Sequence, residues 1–210
     1  MDSAAVYNVA VTPVAPTPPP SLAEMDPKPR FVEDDAGYLY DAASREVLTR
    51  VGKLDGDKLL RTEAIRAMVM AIKRLDQLIE DELVDTGVTH GQYKALMCVK
   101  NYGVTGTQMH AIAGFLGVTP RNVTGLVDGL EAAGLVERVP DPADRRATIV
   151  RVTAEGDAAA MRSRRVHQAV VNKVMGILTE QEKLQLRHLS TKLLHAVEEV
   201  SAGDGRKKVG

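Results

Sequence analysis

The segment from Thr107 to Leu135, TQMHAIAGFLGVTPRNVTGLVDGLEAAGL, constrains this chain more than any other. Met109, Ile112, Ala113 and Leu116 recur at helical spacing, so its first half reads as a short helix from Gln108 to Phe115. Gly117 and Val118 form a tight turn. Thr119 comes next as an N-cap, with Pro120 at the first helical position, where a missing amide costs nothing. The second helix runs to Ala133, and Gly134 suits its C-terminal cap. Two short helices joined by a glycine-containing turn make a helix-turn-helix.

The stretch beyond the second helix narrows the possibilities. Leu135 to Val139 reads as a short strand, PDPADRR as a turn-rich loop, and Ala147 to Val152 as a return strand. This is a β-hairpin wing with Arg145 and Arg146 at its tip. Upstream, Leu60, Ala64, Met68, Ile72, Leu75, Ile79 and Leu83 mark a long amphipathic helix from about Asp57 to Val84. Its apolar face exceeds what one small domain covers, which points to a dimer. Thr89 with Gln92 fits a capping box at the head of a further helix that Gly103 ends. Downstream, Thr153 caps a helix over about Ala154 to Leu178, and Thr179 with Glu182 opens the last one. Tyr38, Tyr40, Val47, Leu48 and Val51 predict a short helix docked on the body.

The fold class is therefore mainly α with a small β-hairpin wing (α+β): a winged helix-turn-helix with N- and C-terminal dimerisation helices. The organisation reads as a Pro-rich disordered arm over residues 1–30 and N-terminal dimerisation helices over 31–88. The winged helix-turn-helix covers 89–153, the C-terminal dimerisation helices 154–202, and a frayed tail 203–210. Aromatic residues make up 3% of the chain and Trp is absent, so the core must be aliphatic, which suits helix-on-helix packing.

Charge bears on function through placement, because 27 Lys and Arg stand against 28 Asp and Glu. Val123, Val127 and Leu130 share the inward face of the second short helix. Arg121, Asn122, Thr124 and Gly125 lie outward or on the flanks. Arg pairs bidentately with guanine and Asn with adenine in the major groove, while a glycine permits close backbone approach. Between Gly117 and Arg151, five arginines are matched by five acids, which weakens any nonspecific binding. Asp144 beside the wing arginines would orient one of them rather than touch DNA.

VTPRNVTGLVDGLEAAGLVERVPDPADRRATIVRVTAEG closely resembles the core of the MarR family, the multiple antibiotic resistance regulators. DPADRR is its most specific piece, and the similarity covers about Thr89 to Gly156. The resemblance implies a triangular homodimer with recognition helices in successive major grooves of a near-palindromic operator. It places Thr119, Pro120, Arg121, Asn122, Thr124 and Gly125 at the DNA. Gln108 would meet phosphate, and Asp144, Arg145 and Arg146 would form the wing contacts. Gly125 and Gly129 depart from the pattern, standing where many members carry a basic or polar residue. Repression is the commoner family mode. Family members respond to a small aromatic ligand, to oxidation, or occasionally to a metal. Tyr93 and Met97 are the candidate ligand-lining residues, although core packing explains both equally well.

Other function classes find less support. There is no glycine-rich phosphate loop, nucleophile motif or convergent acid–base set, so no enzyme is expected. None of the five histidines pairs at metal-ligand spacing, and no cofactor is expected. Cys98, the single cysteine, reads as a buried apolar residue rather than a redox sensor, and excludes an intrachain disulfide. No segment has the length of a membrane span and the N-terminus lacks the order of a signal peptide, so the expected compartment is the cytoplasm. The alternative is a winged-helix module for protein contact or architectural DNA coating, without sequence specificity.

Overall fold

The computed structural model describes residues 30–102, 105–141 and 147–207. Residues 1–29 of the Pro-rich arm, Gly103 and Val104, the wing tip with Asp144, Arg145 and Arg146, and the last three residues lie outside the described residues. The chain forms two compact units that divide between Met70 and Ala71.

In the first unit, β1 (Phe31–Glu33) pairs antiparallel with β2 (Leu39–Asp41). The turn between them is set by Asp34, whose Oδ1 accepts from the backbone amides of Ala36 and Tyr38 at 3.0 and 2.9 Å. Gly37 takes the left-handed conformation there, at φ +80°. Asp41 then caps α1 (Ala42–Arg50) by accepting from the Ser44 amide at 3.0 Å. The docked helix expected from Tyr38, Tyr40, Val47, Leu48 and Val51 is thus a hairpin and then a helix: the tyrosines flank or lie on β2, and only Val47 and Leu48 are in α1. The turn chemistry of Asp34 and Gly37 overrides the apolar spacing. Arg45 lies 3.5 Å from the centre of the Tyr40 ring and holds Glu63 through two bonds of 2.6 and 2.9 Å.

The long helix α2 (Gly56–Leu83) ends in a short 3-10 turn over Val84–Thr86. In the second unit, α3 (His90–Asn101) carries both halves of the Thr89–Gln92 capping box. β3 (Thr107–Gln108) leads into α4 (Met109–Leu116), and Gly117 at φ +65° makes the turn to α5 (Pro120–Ala132). β4 (Val136–Pro140) and β5 (Thr148–Val152) form the wing, with Val136 opposite Val152 and Pro140 opposite Thr148. β3 adds to β5 on the other side, so the wing belongs to a three-stranded sheet of order β3-β5-β4. The sequence reads only the two-stranded hairpin, because two residues carry no alternation to detect. Finally come α6 (Ala154–Met175) and α7 (Glu180–Lys207), the latter continuing through residues that read as a frayed tail.

The core is aliphatic. Leu83, Leu96, Val99, Ile112, Val123, Val127, Leu130, Val150 and Ala160 are fully buried around the helix-turn-helix. Each such Leu, Ile or Val contributes about 1.5–3 kcal/mol when buried. Lys100 on α3 pairs with Asp157 on α6 at the edge of this core.

The tightest contact joins the wing to α6. Thr153 Oγ1 donates to the Gly134 carbonyl at 2.7 Å and accepts from the Gly156 amide at 3.0 Å. The Thr153 amide donates to the Leu135 carbonyl at 3.1 Å. A β-carbon on Gly156 would stand 1.8 Å from that same carbonyl oxygen. Gly156→Ala is therefore expected to destabilise the fold by about 3 kcal/mol, the upper end of overpacking costs. Urea unfolding checks this, and an unchanged midpoint would mean that the junction relaxes freely.

Candidate nucleic-acid interface

The candidate interface is built on α5, whose sequence divides it into two faces. Val123, Val127 and Leu130 are fully buried and fix one face against the core. Thr119, Pro120, Arg121, Asn122, Thr124 and Gly125 are all exposed and lie together at the N-terminal half. Thr119 Oγ1 caps the helix by accepting from the Asn122 amide at 3.4 Å. Thr124 donates to the Pro120 carbonyl at 3.1 Å, which directs its hydroxyl along the helix, and the residue remains exposed. Arg121 and Asn122 project from the first turn, where free backbone amides and the helix dipole already favour an anion. A β-carbon on Gly125 would meet nothing within 4 Å, so the helix surface there is bare backbone.

The structure brings these six residues onto one surface. Gln108 lies apart from them, on β3 and at the N-cap of α4, and makes no side-chain cap. Its Nε2 donates to Asp141 at 2.7 Å, which commits one amide hydrogen to the base of the wing. Asp144, Arg145 and Arg146 fall outside the described residues.

Arg138 on β4 is a residue that sequence reasoning misses. Its guanidinium reaches back to α5, pairing with Asp128 at 2.6 Å and with Glu131, while its backbone amide donates to Glu131 at 3.1 Å. Burial opposes the charge on Arg138, but the two carboxylates more than offset it and raise its pKa. The fork ties the wing to the C-terminal half of α5 and neutralises the acids there. An arginine ten residues beyond an aspartate gives no local signal of this, since the two meet only once α5 and β4 pack. Arg151 on β5 gives no such signal either, and its Nε is buried without a hydrogen-bond partner.

The two candidate ligand-lining residues lie on α3. Tyr93 is buried, with its ring 5.1 Å from that of His167, and Met97 packs against the core. Cys98 is fully buried, and burial pushes its thiol pKa up, so it packs rather than reacts.

Comparison with known proteins decides the family. The MarR family profile matches residues 88–148. The repressor MdtR of Bacillus subtilis is 31% identical over 133 residues, covering 61% of this chain and 84% of MdtR. The chain belongs to the MarR family. MarR of Salmonella typhimurium is 28% identical over 61% of this chain and 89% of that protein. A cysteine variant of MarR from E. coli, solved with operator DNA, is 26% identical with a TM-score of 0.57, covering 61% of this chain and 91% of that one. The S. aureus MepR–DNA complex has the same fold, with a TM-score of 0.59 over 62% of this chain and 96% of that one. MdtR is named as a transcriptional repressor, and the family profile falls on the winged helix-turn-helix of this MarR-family chain.

The Arg138 fork can be tested by a double-mutant cycle. Asp128→Asn and Arg138→Met should each destabilise the protein and be non-additive, with a coupling of about 1 kcal/mol for a partly exposed ion pair. Urea denaturation of the four proteins measures it, and strict additivity would remove the fork as a tie.

Proposed function

We propose that this protein is a sequence-specific DNA-binding regulator that acts as a homodimer on a near-palindromic operator. The observation that carries the reading is the single exposed face of α5 bearing Thr119, Arg121, Asn122, Thr124 and Gly125, on a helix locked by three buried side chains. Arg121 and Asn122 are suited to guanine and adenine edges, and the bare backbone at Gly125 allows close approach. Asp144, Arg145 and Arg146 are assigned to the wing contact with minor groove or phosphate by family resemblance. Gln108 and the α4 N-terminus are assigned to phosphate.

The two-chain reading is supported by apolar helices without cover. Ile72 on α2 is 54% exposed, and Leu189, Leu193 and Val197 on α7 are 57%, 47% and 61% exposed at intervals of four. Such stripes on long helices are normally covered by a partner helix. With two copies, the recognition helices would meet half-sites roughly 34–36 Å apart. We assign repression as the mode, as MdtR's name states for that protein, and the cytoplasm as the compartment. No helix among the described residues is long and apolar enough to cross a membrane. A small aromatic effector beside Tyr93 and Met97 would act by binding the DNA-competent and DNA-incompetent dimers unequally.

Selection of genomic fragments by the purified protein across a salt series tests this reading, with Arg121→Ala and the double variant Arg145→Ala/Arg146→Ala alongside wild type. The expected result is two chains per duplex on one enriched palindrome. Loss of Arg121 should relax preference at one position per half-site, by about 1–3 kcal/mol. Loss of the wing pair should weaken all sequences and flatten the salt slope. If no sequence is enriched and the variants bind like wild type, α5 does not read DNA. The protein is then a protein-contact or architectural module.

A further inference from the structure

The first turn of α3 faces two ways. Gly91 and Gln92 face the recognition helix. A β-carbon on Gly91 would stand 3.0 Å from Leu126 Cδ2, and one on Gly129 would stand 2.6 Å from Gln92 Nε2. Two glycines, one on each helix, thus let α3 and α5 approach until side chain rests on backbone. Gln92 is also held from its other end, since its Oε1 accepts from the Thr89 amide at 3.0 Å.

His90 and Tyr93 face the opposite way, toward α2 and α6. The His90 backbone amide donates to Glu80 at 2.6 Å, and its Nδ1 lies 3.2 Å from Asp76. Its ring centre is 5.6 Å from that of His167 and 6.3 Å from that of Tyr93. The residue is only 6% exposed, and its Nε2 is buried without a hydrogen-bond partner. With the Nδ1 proton assigned to Asp76, Nε2 carries the bare lone pair. A proton there would have no acceptor. The charged and titratable groups around the cluster are Asp76 and Glu80 on α2, Lys94 on α3, and Arg164 and His167 on α6. The two acids are already engaged by Nδ1, by Lys94 at 3.6 Å and by the backbone amide.

We propose that His90 is a positioning residue for DNA recognition: its neutral imidazole seats the first turn of α3 against the recognition helix, and a proton on Nε2 unseats it. Seating requires the uncharged ring at the α2–α6 junction, and the same turn is in contact with Leu126 and Gly129. Protonation therefore favours any arrangement in which the ring reaches water, and the recognition helix loses its support. Burial, aided by Lys94 and His167 and opposed by Asp76 and Glu80, holds His90 below its ordinary value. In the unseated arrangement it returns toward about 6.5. The seated state is thus fully favoured above about pH 6.5 and is lost as pH falls through the lowered value.

The consequence for DNA rests on the function proposed above, so the test has two arms. The first needs no DNA. In the full chain, NMR follows the His90 ring protons and the amides of Gly91, Leu126 and Gly129 from pH 8 to 5.5. All should shift with one midpoint below the ordinary imidazole value, and His90→Gln, which can still donate to Asp76, should leave the three amides still. The second arm measures affinity for the selected operator at pH 7.5 and 5.5 at constant ionic strength. Wild type and the surface control His195→Gln, 70% exposed on α7, should lose affinity about five- to tenfold, the lower end of allosteric couplings, while His90→Gln should not. The proposal is overturned if Leu126 and Gly129 do not follow His90 in wild type, a result that needs no variant to fold, or if His90→Gln keeps the wild-type pH profile. Absence of a selected operator at every pH refutes the regulator reading and, with it, the link to DNA affinity; the amide titration then still decides the seating itself.

Discussion

Everything in the DNA-binding lobe hangs on the point where α5 ends, the wing closes and α6 begins. Thr153 binds the Gly134 carbonyl with its hydroxyl and the Leu135 carbonyl with its amide, and Gly156 lies against that same carbonyl. One threonine therefore satisfies the end of one helix and the start of another, groups that a helix terminus otherwise leaves to water. The recognition helix is held at its C-terminal end by this junction, along its flank by Arg138, and beneath by the first turn of α3. Its N-terminal half is left free, as a helix that enters a groove requires.

Much of this is legible in the amino-acid sequence alone. The Thr119-Pro120 start, the Gly117 turn, the Thr89–Gln92 box and the Val123, Val127, Leu130 face are local signals, each fixed by residues within one turn of one another. The exposed set on α5 comes from the same periodicity, since naming the buried face names its opposite. What stays hidden depends on meetings across the chain. Asp128 and Glu131 find Arg138 only through the packing of α5 on β4, and His90 finds His167 only through the convergence of α3 and α6. Periodicity says which way a residue points, not what waits there. The β1–β2 hairpin escapes for another reason: apolar spacing suggests a helix, while a turn signal, Asp34 with Gly37, decides the local structure.

The near balance of charge also takes on a structural meaning. The acids of α5 are not placed at random against its function, because Asp128 and Glu131 are consumed by Arg138 on the flank. Arg121 lies on the opposite end of the helix, outside that network. Local pairing therefore leaves the charge of Arg121 unopposed by the acids of its own helix, on a chain whose formal net charge is −1.

The bare surface at Gly125 has a consequence for how such a protein can diverge. Among the described residues no atom outside the helix's own backbone lies within 4 Å of where a β-carbon would stand there, and the exposed residues beside it bury no side chain in the core. A helical glycine costs about 0.8–1.0 kcal/mol relative to alanine, so most replacements would add to helix stability rather than subtract from it. Apart from Thr119 and Pro120, which start the helix, the positions available to read bases are thus mechanically uncoupled from those that keep the helix folded. Duplicated copies of this gene could acquire new operators by changing a few exposed residues, without first passing through an unstable intermediate.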